Sequence, residues 1–214
     1  MVQKMLEGMK RLKTVKDARL PITIDLLKNI INALPAICSS HFETLLLRAA
    51  FCLAFFGFLR VGELTVGRQN DTSRVFHHNH VNIVENRHHI ELTIPYSKTD
   101  QLGVGKTIVI PETGCQVCPL FYISLKQTKR TRLILLSFGG KPLTIYQCTA
   151  VLSKVLTVLG VDTKLYKSQS FRIGAASFYH LKGESDEKIK IMGRWKSRAF
   201  QTYIRIPQHN LISI

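Results

Sequence analysis

The sequence has few acidic residues. Its 214 residues include 14 aspartates and glutamates against 30 lysines and arginines, which gives a formal net charge of +16 at pH 7. A balance this far from neutral exceeds what solubility requires and indicates a polyanionic partner, either nucleic acid or an anionic membrane surface. Nucleic acid is favoured because the sequence carries no membrane signal.

A long apolar segment is also missing. The longest uncharged apolar run, Ala49 to Leu59, falls far short of the ~20 residues that a membrane-spanning helix needs, so we expect it to be a buried core helix. The basic start of the chain has no apolar stretch followed by a small-residue cleavage site, as a secretory signal would. We therefore expect no membrane partner and a reducing compartment.

The cysteines, in a chain without a secretion signal, argue against a disulfide framework. There are five, an odd number, and only Cys115 and Cys118 form a C-x-x-C pair. No second pair of ligands follows at zinc-finger spacing, so structural or incidental cysteines are favoured over a metal site. The histidines also lack i, i+4 ligand spacing and are interpreted as surface or DNA-facing residues: His77, His78, His80, His88, His89 and His180. No metal and no other cofactor is expected.

Two kinds of sequence pattern alternate along the chain and together predict an α+β fold. Helix start signals stand at Thr23, at Ser40 with Glu43, at Pro119 and at Thr144. Between residues 71 and 111, three short β-branched runs predict a three-stranded antiparallel sheet. Three more short helices are predicted after residue 168. The chain should be one mainly helical domain with a small sheet, preceded over residues 1–20 by a basic linker or the end of a missing domain.

Two arginines stand at the edges of apolar segments, Arg60 in FFGFLRVGEL and Arg172 in SFRIGAAS. An arginine beside an apolar, small-residue helix is costly unless an anion meets it. Two such arginines that converge would hold one phosphate through bidentate hydrogen bonds. For Arg60, an ion pair with Glu63 explains the pattern equally well. Basic residues are also concentrated late in the chain, which indicates a phosphate-facing surface: Lys164, Lys167, Arg194, Lys196, Arg198 and Arg205.

Five motifs follow one another in a recognisable order: GFLRVGEL, YSKTDQ, SFRIGAAS, MGRWKS and YIR. In order and approximate spacing they resemble the catalytic domain of the tyrosine recombinases, the DNA strand-exchange integrases. The resemblance is strongest to the crypton-like and DIRS-like enzymes of eukaryotic mobile elements. It covers the chain from about Pro21 to Pro207, and it implies that residues 21–214 form a tyrosine recombinase catalytic domain.

The resemblance implies a role for each residue that would hold the DNA phosphate. Arg60 and Arg172 would bind the scissile phosphate, and Glu63 would support the loop of the first arginine. Trp195 matches a histidine or tryptophan position that donates a hydrogen bond to the same phosphate. Two arginines would supply the positive charge that phosphoryl transfer needs without a metal.

The resemblance also implies the residues that would exchange protons and form the covalent bond. Tyr203 would be the nucleophile that forms a 3′-phosphotyrosyl link, whereas without the resemblance a packed aromatic side chain would be the simpler interpretation. Lys98 would protonate the departing 5′ oxygen. Lys106 lies near the same connection, but Lys98, in SKTD, matches the motif better.

One position departs from the family pattern. The family usually has histidine three residues before the second arginine, and this chain has Gln169. A glutamine amide can donate a hydrogen bond to phosphate, but it cannot accept and release a proton as imidazole does. If the tyrosine needs a general base there, the loss would be about 10²- to 10⁴-fold in rate. The alternative is a domesticated recombinase domain that binds DNA and has weak or no catalysis.

The resemblance also implies partners. The expected partner is double-stranded DNA, with self-association of the chain in a synaptic complex on that DNA. The expected compartment is the nucleus if the host is eukaryotic. Family members carry a further helical DNA-binding domain before the catalytic one, of which residues 1–20 would be a linker or remnant.

Overall fold

A computed structural model describes residues 17–66, 76–84, 88–95, 105–119 and 142–206 of the chain. The connection from Ser97 to Gly103, which includes Lys98, lies outside the described residues. The helix predicted to begin at Pro119 also lies outside them beyond its first residue, and so do residues 1–16 of the predicted linker.

Three helices form the first half of the described fold: α1, Ile24–Ala33; α2, His41–Phe56; and α3, Val61–Leu64. The Thr23 side chain accepts a hydrogen bond from the backbone N–H of Leu26, as predicted for a cap. The Ser40 side chain caps α2 in the same way. The predicted capping box is only half formed there, because the Glu43 carboxylate binds the backbone N–H and hydroxyl of Ser39 and not the backbone of Ser40.

The helix α2 is the centre of the core, as its apolar composition predicts. Nearly every residue from Ala49 to Phe56 is fully buried. The helix ends at Phe56, earlier than the apolar run itself, because Phe58 adopts a left-handed backbone with φ of 48° that cannot continue a helix. This turn points the following residue, Leu59, back into the core and starts α3 at Val61.

The three β-branched runs form the predicted sheet. Its strands are β1, Val81–Val84; β2, His89–Ile94; and β3, Lys106–Pro111. All neighbours are antiparallel and the order is β1-β2-β3. In β2 every second residue is buried, so one face of the sheet packs on the helices.

The second half of the described fold is helical again. It contains α4, Ile145–Val158; α5, Ser170–Leu181; α6, Asp186–Met192; and a 3₁₀ helix, Arg198–Tyr203. Thr144 and Gln147 form a complete capping box at the start of α4. The α+β class with a mainly helical domain and one three-stranded antiparallel sheet is therefore confirmed.

Packing of α5 on α2 brings the two arginine motifs together. Phe51 of α2 stacks on Phe171 of α5 with ring centroids 5.2 Å apart, and Phe55 meets Phe178 edge to face at 5.8 Å. The backbone of Ile22 also approaches α5 closely, at Gly174. A Cβ atom at Gly174 would overlap the Ile22 carbonyl oxygen, so only glycine permits this approach. The small residues of SFRIGAAS therefore accommodate the chain segment that precedes α1.

Candidate active site

Arg172 lies at the centre of the site, on the first turn of α5. The residue is 1% exposed. One of its N–H groups, at Nη2, donates a 2.7 Å hydrogen bond to the carbonyl oxygen of Gly193, while Nε and Nη1 have no hydrogen-bond partner among the described residues. Burial, together with repulsion from Arg60 and Arg194, lowers the pKa of Arg172 to about 9. A buried cation with unused donors is stabilised by any anion that pairs with it.

Arg60 caps α3 and forms the ion pair that the sequence offered as one of two interpretations. Its Nη1 lies 3.0 Å from Oε1 of Glu63, and its backbone N–H donates to Oε2 of the same carboxylate. The side chain remains 29% exposed. A guanidinium has five donors, so this ion pair leaves Arg60 able to bind a phosphate as well.

Glu63 is buried between two arginines, Arg60 and Arg194. Its Oε2 accepts a 2.8 Å hydrogen bond from Nη2 of Arg194 in addition to the backbone of Arg60. Among the described residues, the Glu63 carboxylate forms ion pairs with both Arg60 and Arg194, whereas Arg172 forms no ion pair with a carboxylate. The cluster therefore holds more positive than negative charge, and the excess favours a bound anion.

The structure places Arg194 differently from the sequence-based prediction. The sequence grouped it with the phosphate-facing residues, but its side chain points into the protein and the residue is 8% exposed. It donates hydrogen bonds to the carbonyl oxygens of Gly57 and Phe58 at 3.0 and 3.1 Å, and to Glu63. Its backbone has φ of 57°, which turns the side chain inward after Gly193. Arg194 thus joins the end of α6 to the turn that carries Arg60.

The aromatic residues of the last two motifs pack on Arg172. The Trp195 ring centroid lies 4.7 Å from the Arg172 guanidinium carbon, and the Tyr203 ring lies 5.9 Å from it. The centroids of these two rings are 5.1 Å apart. A Cβ atom at Gly193 would overlap the Trp195 ring, so this glycine lets the indole fold back over the site.

A serine on α5 fixes the position of Tyr203. The Ser177 hydroxyl accepts a 2.8 Å hydrogen bond from the backbone N–H of Arg205, and it shares its own proton between the carbonyl oxygens of Ile173 at 2.9 Å and Tyr203 at 3.3 Å. The 3₁₀ helix is therefore attached to the helix that carries Arg172. Tyr203 and Arg172 of the same chain belong to one cluster.

Gln169 lies immediately before α5 and is half-buried. Its side-chain oxygen accepts a hydrogen bond from Nη1 of Arg19. Arg19 is bonded in turn to Asp17, which also forms a 2.8 Å ion pair with Arg205. Sequence reasoning missed Asp17 and Arg19, because they lie in a basic stretch with no motif and contact residues far away in the chain.

The other predicted residues divide into two groups. Four basic side chains are exposed, as a phosphate-facing surface requires: Lys164, Lys167, Lys196 and Arg198. Arg205 is half-buried and paired with Asp17. Lys98 lies outside the described residues, and its rival Lys106 is exposed at the start of β3.

The described residues contain no group of three or more histidine, cysteine, aspartate or glutamate side chains that could hold a metal ion. All five cysteines are free thiols. In the same part of the chain, no helix is long and apolar enough to cross a membrane.

Comparison with known proteins finds relatives in structure only. No family model matches the sequence, and no curated protein matches it. A solved XerH site-specific recombinase, in a post-cleavage complex with palindromic difH DNA, is 10% identical with a TM-score of 0.62, over 91% of this chain and 51% of that one. A lambda integrase dimer bound to a COC′ core site is 21% identical with a TM-score of 0.59, over 87% of this chain and 48% of that one. XerA recombinase is 15% identical with a TM-score of 0.61, over 90% of this chain and 61% of that one.

These comparisons concern the fold. The chain has the fold of tyrosine recombinase catalytic domains, as the sequence motifs predicted. It spans about half to three fifths of the length of the three solved chains.

Proposed function

We propose that this chain is a tyrosine recombinase catalytic domain, which cleaves and rejoins DNA through a covalent bond between Tyr203 and a 3′ phosphate. The observation that carries the proposal is the environment of Arg172. Its buried guanidinium has two nitrogens without a hydrogen-bond partner among the described residues, and it packs against the Trp195 and Tyr203 rings. An anion-binding group and a nucleophile thus lie side by side, in a fold shared with solved DNA recombinases.

The scissile phosphate binds between Arg172 and Arg60. A phosphodiester supplies the negative charge that the buried Arg172 lacks, and its oxygens accept the unused N–H groups. As the attack proceeds, charge on the non-bridging oxygens rises and both guanidinium groups stabilise it. Glu63 and Arg194 lie behind Arg60, on the side away from the phosphate, and hold the turn that carries Arg60. Trp195 closes one side of the phosphate site and donates its indole N–H.

The reaction exchanges one phosphodiester for another. The Tyr203 oxygen attacks phosphorus, the bond from phosphorus to the 5′ oxygen breaks, and the 3′ phosphate becomes attached to tyrosine. The leaving 5′ oxygen takes a proton, for which Lys98 is the proposed donor. Because the phosphodiester energy is kept in the phosphotyrosyl bond, a 5′ hydroxyl from a second strand can reverse the step without ATP.

Gln169 favours a second candidate function. An amide cannot take the phenol proton, so Tyr203 must lose it to water or to another group. A domain with this handicap could keep its DNA-binding surface while cleavage becomes slow or is lost, which would make it a DNA-binding module derived from a recombinase. Both functions require double-stranded DNA as the partner, and the recombinase also requires self-association on two duplexes.

Further expectations follow from the motifs and belong to the same proposal. The order of the motifs is most similar to that of the crypton-like and DIRS-like enzymes of mobile elements. If the host of this chain is eukaryotic, we expect the protein to act in the nucleus. Among the solved relatives, the lambda integrase is a dimer on its core site and XerH is bound to difH DNA. A synaptic complex is accordingly the assembly that we propose for this chain on DNA.

The two functions are separated by trapping the covalent intermediate. Duplexes with a random core and a nick near the cleavage position lose the leaving fragment by diffusion, so a cleaved complex cannot be rejoined. We expect the wild-type protein to give a covalent adduct that survives denaturation, and the Tyr203→Phe variant to give none. DNA binding by the wild type without any adduct would overturn the enzyme and support the binding module. Sequencing of the trapped DNA would identify the preferred site.

A further inference from the structure

The segment of residues 17–22, which precedes α1, is fixed against the start of α5 and the residues just before it. The backbone N–H of Leu20 donates to the carbonyl of Leu165 at 2.8 Å, and that of Ile22 donates to Ser170 at 3.0 Å. Two inter-segment hydrogen bonds thus lie just after Arg19. The approach of Ile22 to Gly174 adds a steric constraint on the same stretch. The backbone at Arg19 is positioned independently of the Arg19 side chain.

The Arg19 side chain is held from one side by Asp17. Its Nε lies 2.8 Å from Oδ1 and its Nη2 lies 2.9 Å from Oδ2 of that carboxylate, which is a bidentate arginine–carboxylate pair. The guanidinium plane is therefore fixed. Its remaining nitrogen, Nη1, points at the side-chain oxygen of Gln169 and donates a hydrogen bond to it.

We propose that Arg19 is a positioning residue for the reaction, because it binds the oxygen of the Gln169 amide and turns the NH₂ end of that amide towards the phosphate. A glutamine amide has an acceptor end and a donor end, and only the donor end can bind a phosphate oxygen. A guanidinium has donors only, so it selects the amide oxygen and leaves Nε2 for the substrate. The inference rests on the proposed function.

Asp17 extends this arrangement to the nucleophile. Besides Arg19, its carboxylate pairs with Nη2 of Arg205 at 2.8 Å, two residues after Tyr203. The pKa of Arg19 is raised, mainly by its hydrogen bond to Asp17. Asp17 and Arg19 therefore connect Gln169 with the segment that carries Tyr203.

A positioning role of Arg19 can be distinguished from a merely structural one by experiment. Arg19 is about one third exposed, and the backbone bonds of Leu20 and Ile22 do not involve its side chain. Arg19→Ala should consequently fold and bind DNA as the wild type does. What it should lose is the fixed orientation of the Gln169 amide, because nothing then prevents the oxygen from turning towards the phosphate.

The test is a double-mutant cycle on the rate of adduct formation at saturating DNA. We expect Arg19→Ala to slow the rate at least ~10-fold, Gln169→Ala to slow it by a similar or larger factor, and the double variant to be no slower than Gln169→Ala alone. Lys28→Ala is the matched control, since Lys28 is a partly exposed cation in a local ion pair with Asp25, and it should change neither rate nor affinity.

The outcomes distinguish the inference from the proposed function. An unchanged rate for Arg19→Ala, with wild-type adduct present, overturns the positioning role and leaves the recombinase standing. Fully multiplicative effects in the double variant also overturn it, because Arg19 would then act independently of Gln169. If the wild type gives no adduct on any nicked duplex, both the recombinase and the positioning role are wrong.

Discussion

At the scale of single residues, Arg172 carries a charge that the folded protein does not balance. Its guanidinium is buried, repelled by two other arginines and bonded within the described residues only to the Gly193 carbonyl. Burial of an ion costs several kcal/mol unless a partner compensates. A residue of this kind lowers the stability of the free protein and raises its affinity for an anion.

Replacement of Arg172 by an apolar side chain should therefore separate stability from function. For Arg172→Met we expect the free energy of unfolding to stay within ~1 kcal/mol of the wild type or to rise, because an uncompensated charge is removed. Adduct formation should fall by at least ~10²-fold, since one phosphate ligand is lost. Urea unfolding and suicide-substrate cleavage measure the two effects. A loss of more than about 3 kcal/mol would show that Arg172 is instead a structural ion.

Glu63 is the opposite case, a buried charge that the fold requires. It bonds both Arg60 and Arg194. For Glu63→Gln we expect a loss of about 3 kcal/mol in the free energy of unfolding, because Arg194 would be left buried and unpaired. The exposed Glu187→Gln serves as the control and should change stability by less than about 0.5 kcal/mol. Equal effects of the two substitutions would contradict the central role of Glu63.

At the scale of elements, the helix α5 is positioned by the segments that pack against it. It packs on α2 through Phe171 and Phe178, and the backbone of Ile22 approaches it at Gly174. The same element carries Arg172 near its start and Ser177 in its middle, the residue that holds Tyr203. Displacement of this helix would consequently disturb both the phosphate site and the nucleophile.

Gly174→Ala tests the close approach at α5. The added methyl group would overlap the Ile22 carbonyl, which is backbone and cannot rotate away. We expect a loss of about 1–3 kcal/mol in the free energy of unfolding. Gly62→Ala is a matched control, because a Cβ atom there would meet only Cδ1 of Ile145 at 3.8 Å. Thermal or urea unfolding gives both values, and an unchanged stability in Gly174→Ala would contradict the packing.

The elements also show which features the sequence could predict. Local signals sufficed for the caps at Thr23 and Thr144 and for the alternating pattern of β2, since cap and strand patterns act over a few residues. The inward turn of Arg194 depends on a left-handed backbone, and the bond from Arg19 to Gln169 joins residues 150 positions apart. Neither can be read from a run of neighbouring residues. The grouping of the arginines with Tyr203 came from the order of motifs, and periodicity alone did not predict it.

At the scale of the whole molecule, the formal charge of +16 predicts DNA binding that depends steeply on salt. Exposed cations that could meet phosphates are Lys164, Lys167, Lys196 and Arg198, and the site adds Arg60 and Arg172. If all six bind phosphates, the logarithm of the association constant should fall with the logarithm of salt concentration with a slope of roughly −5.

Single substitutions refine this measurement. Lys196→Ala should reduce the magnitude of the slope by about 1, whereas Lys28→Ala should leave it unchanged, because Lys28 is paired locally with Asp25. Fluorescence anisotropy with a labelled duplex over a salt series gives the slopes. A slope near zero for the wild type would contradict a phosphate-facing surface.

The most direct test of the central claim is the chemical identity of the residue that becomes attached to DNA. Wild-type protein is trapped on a nicked duplex, digested with nuclease and trypsin, and analysed by mass spectrometry. We predict that the peptide of residues 199–205 carries a nucleotide 3′ phosphate on Tyr203. A nucleotide on another residue, or no modified peptide although the protein binds the duplex, would contradict the account.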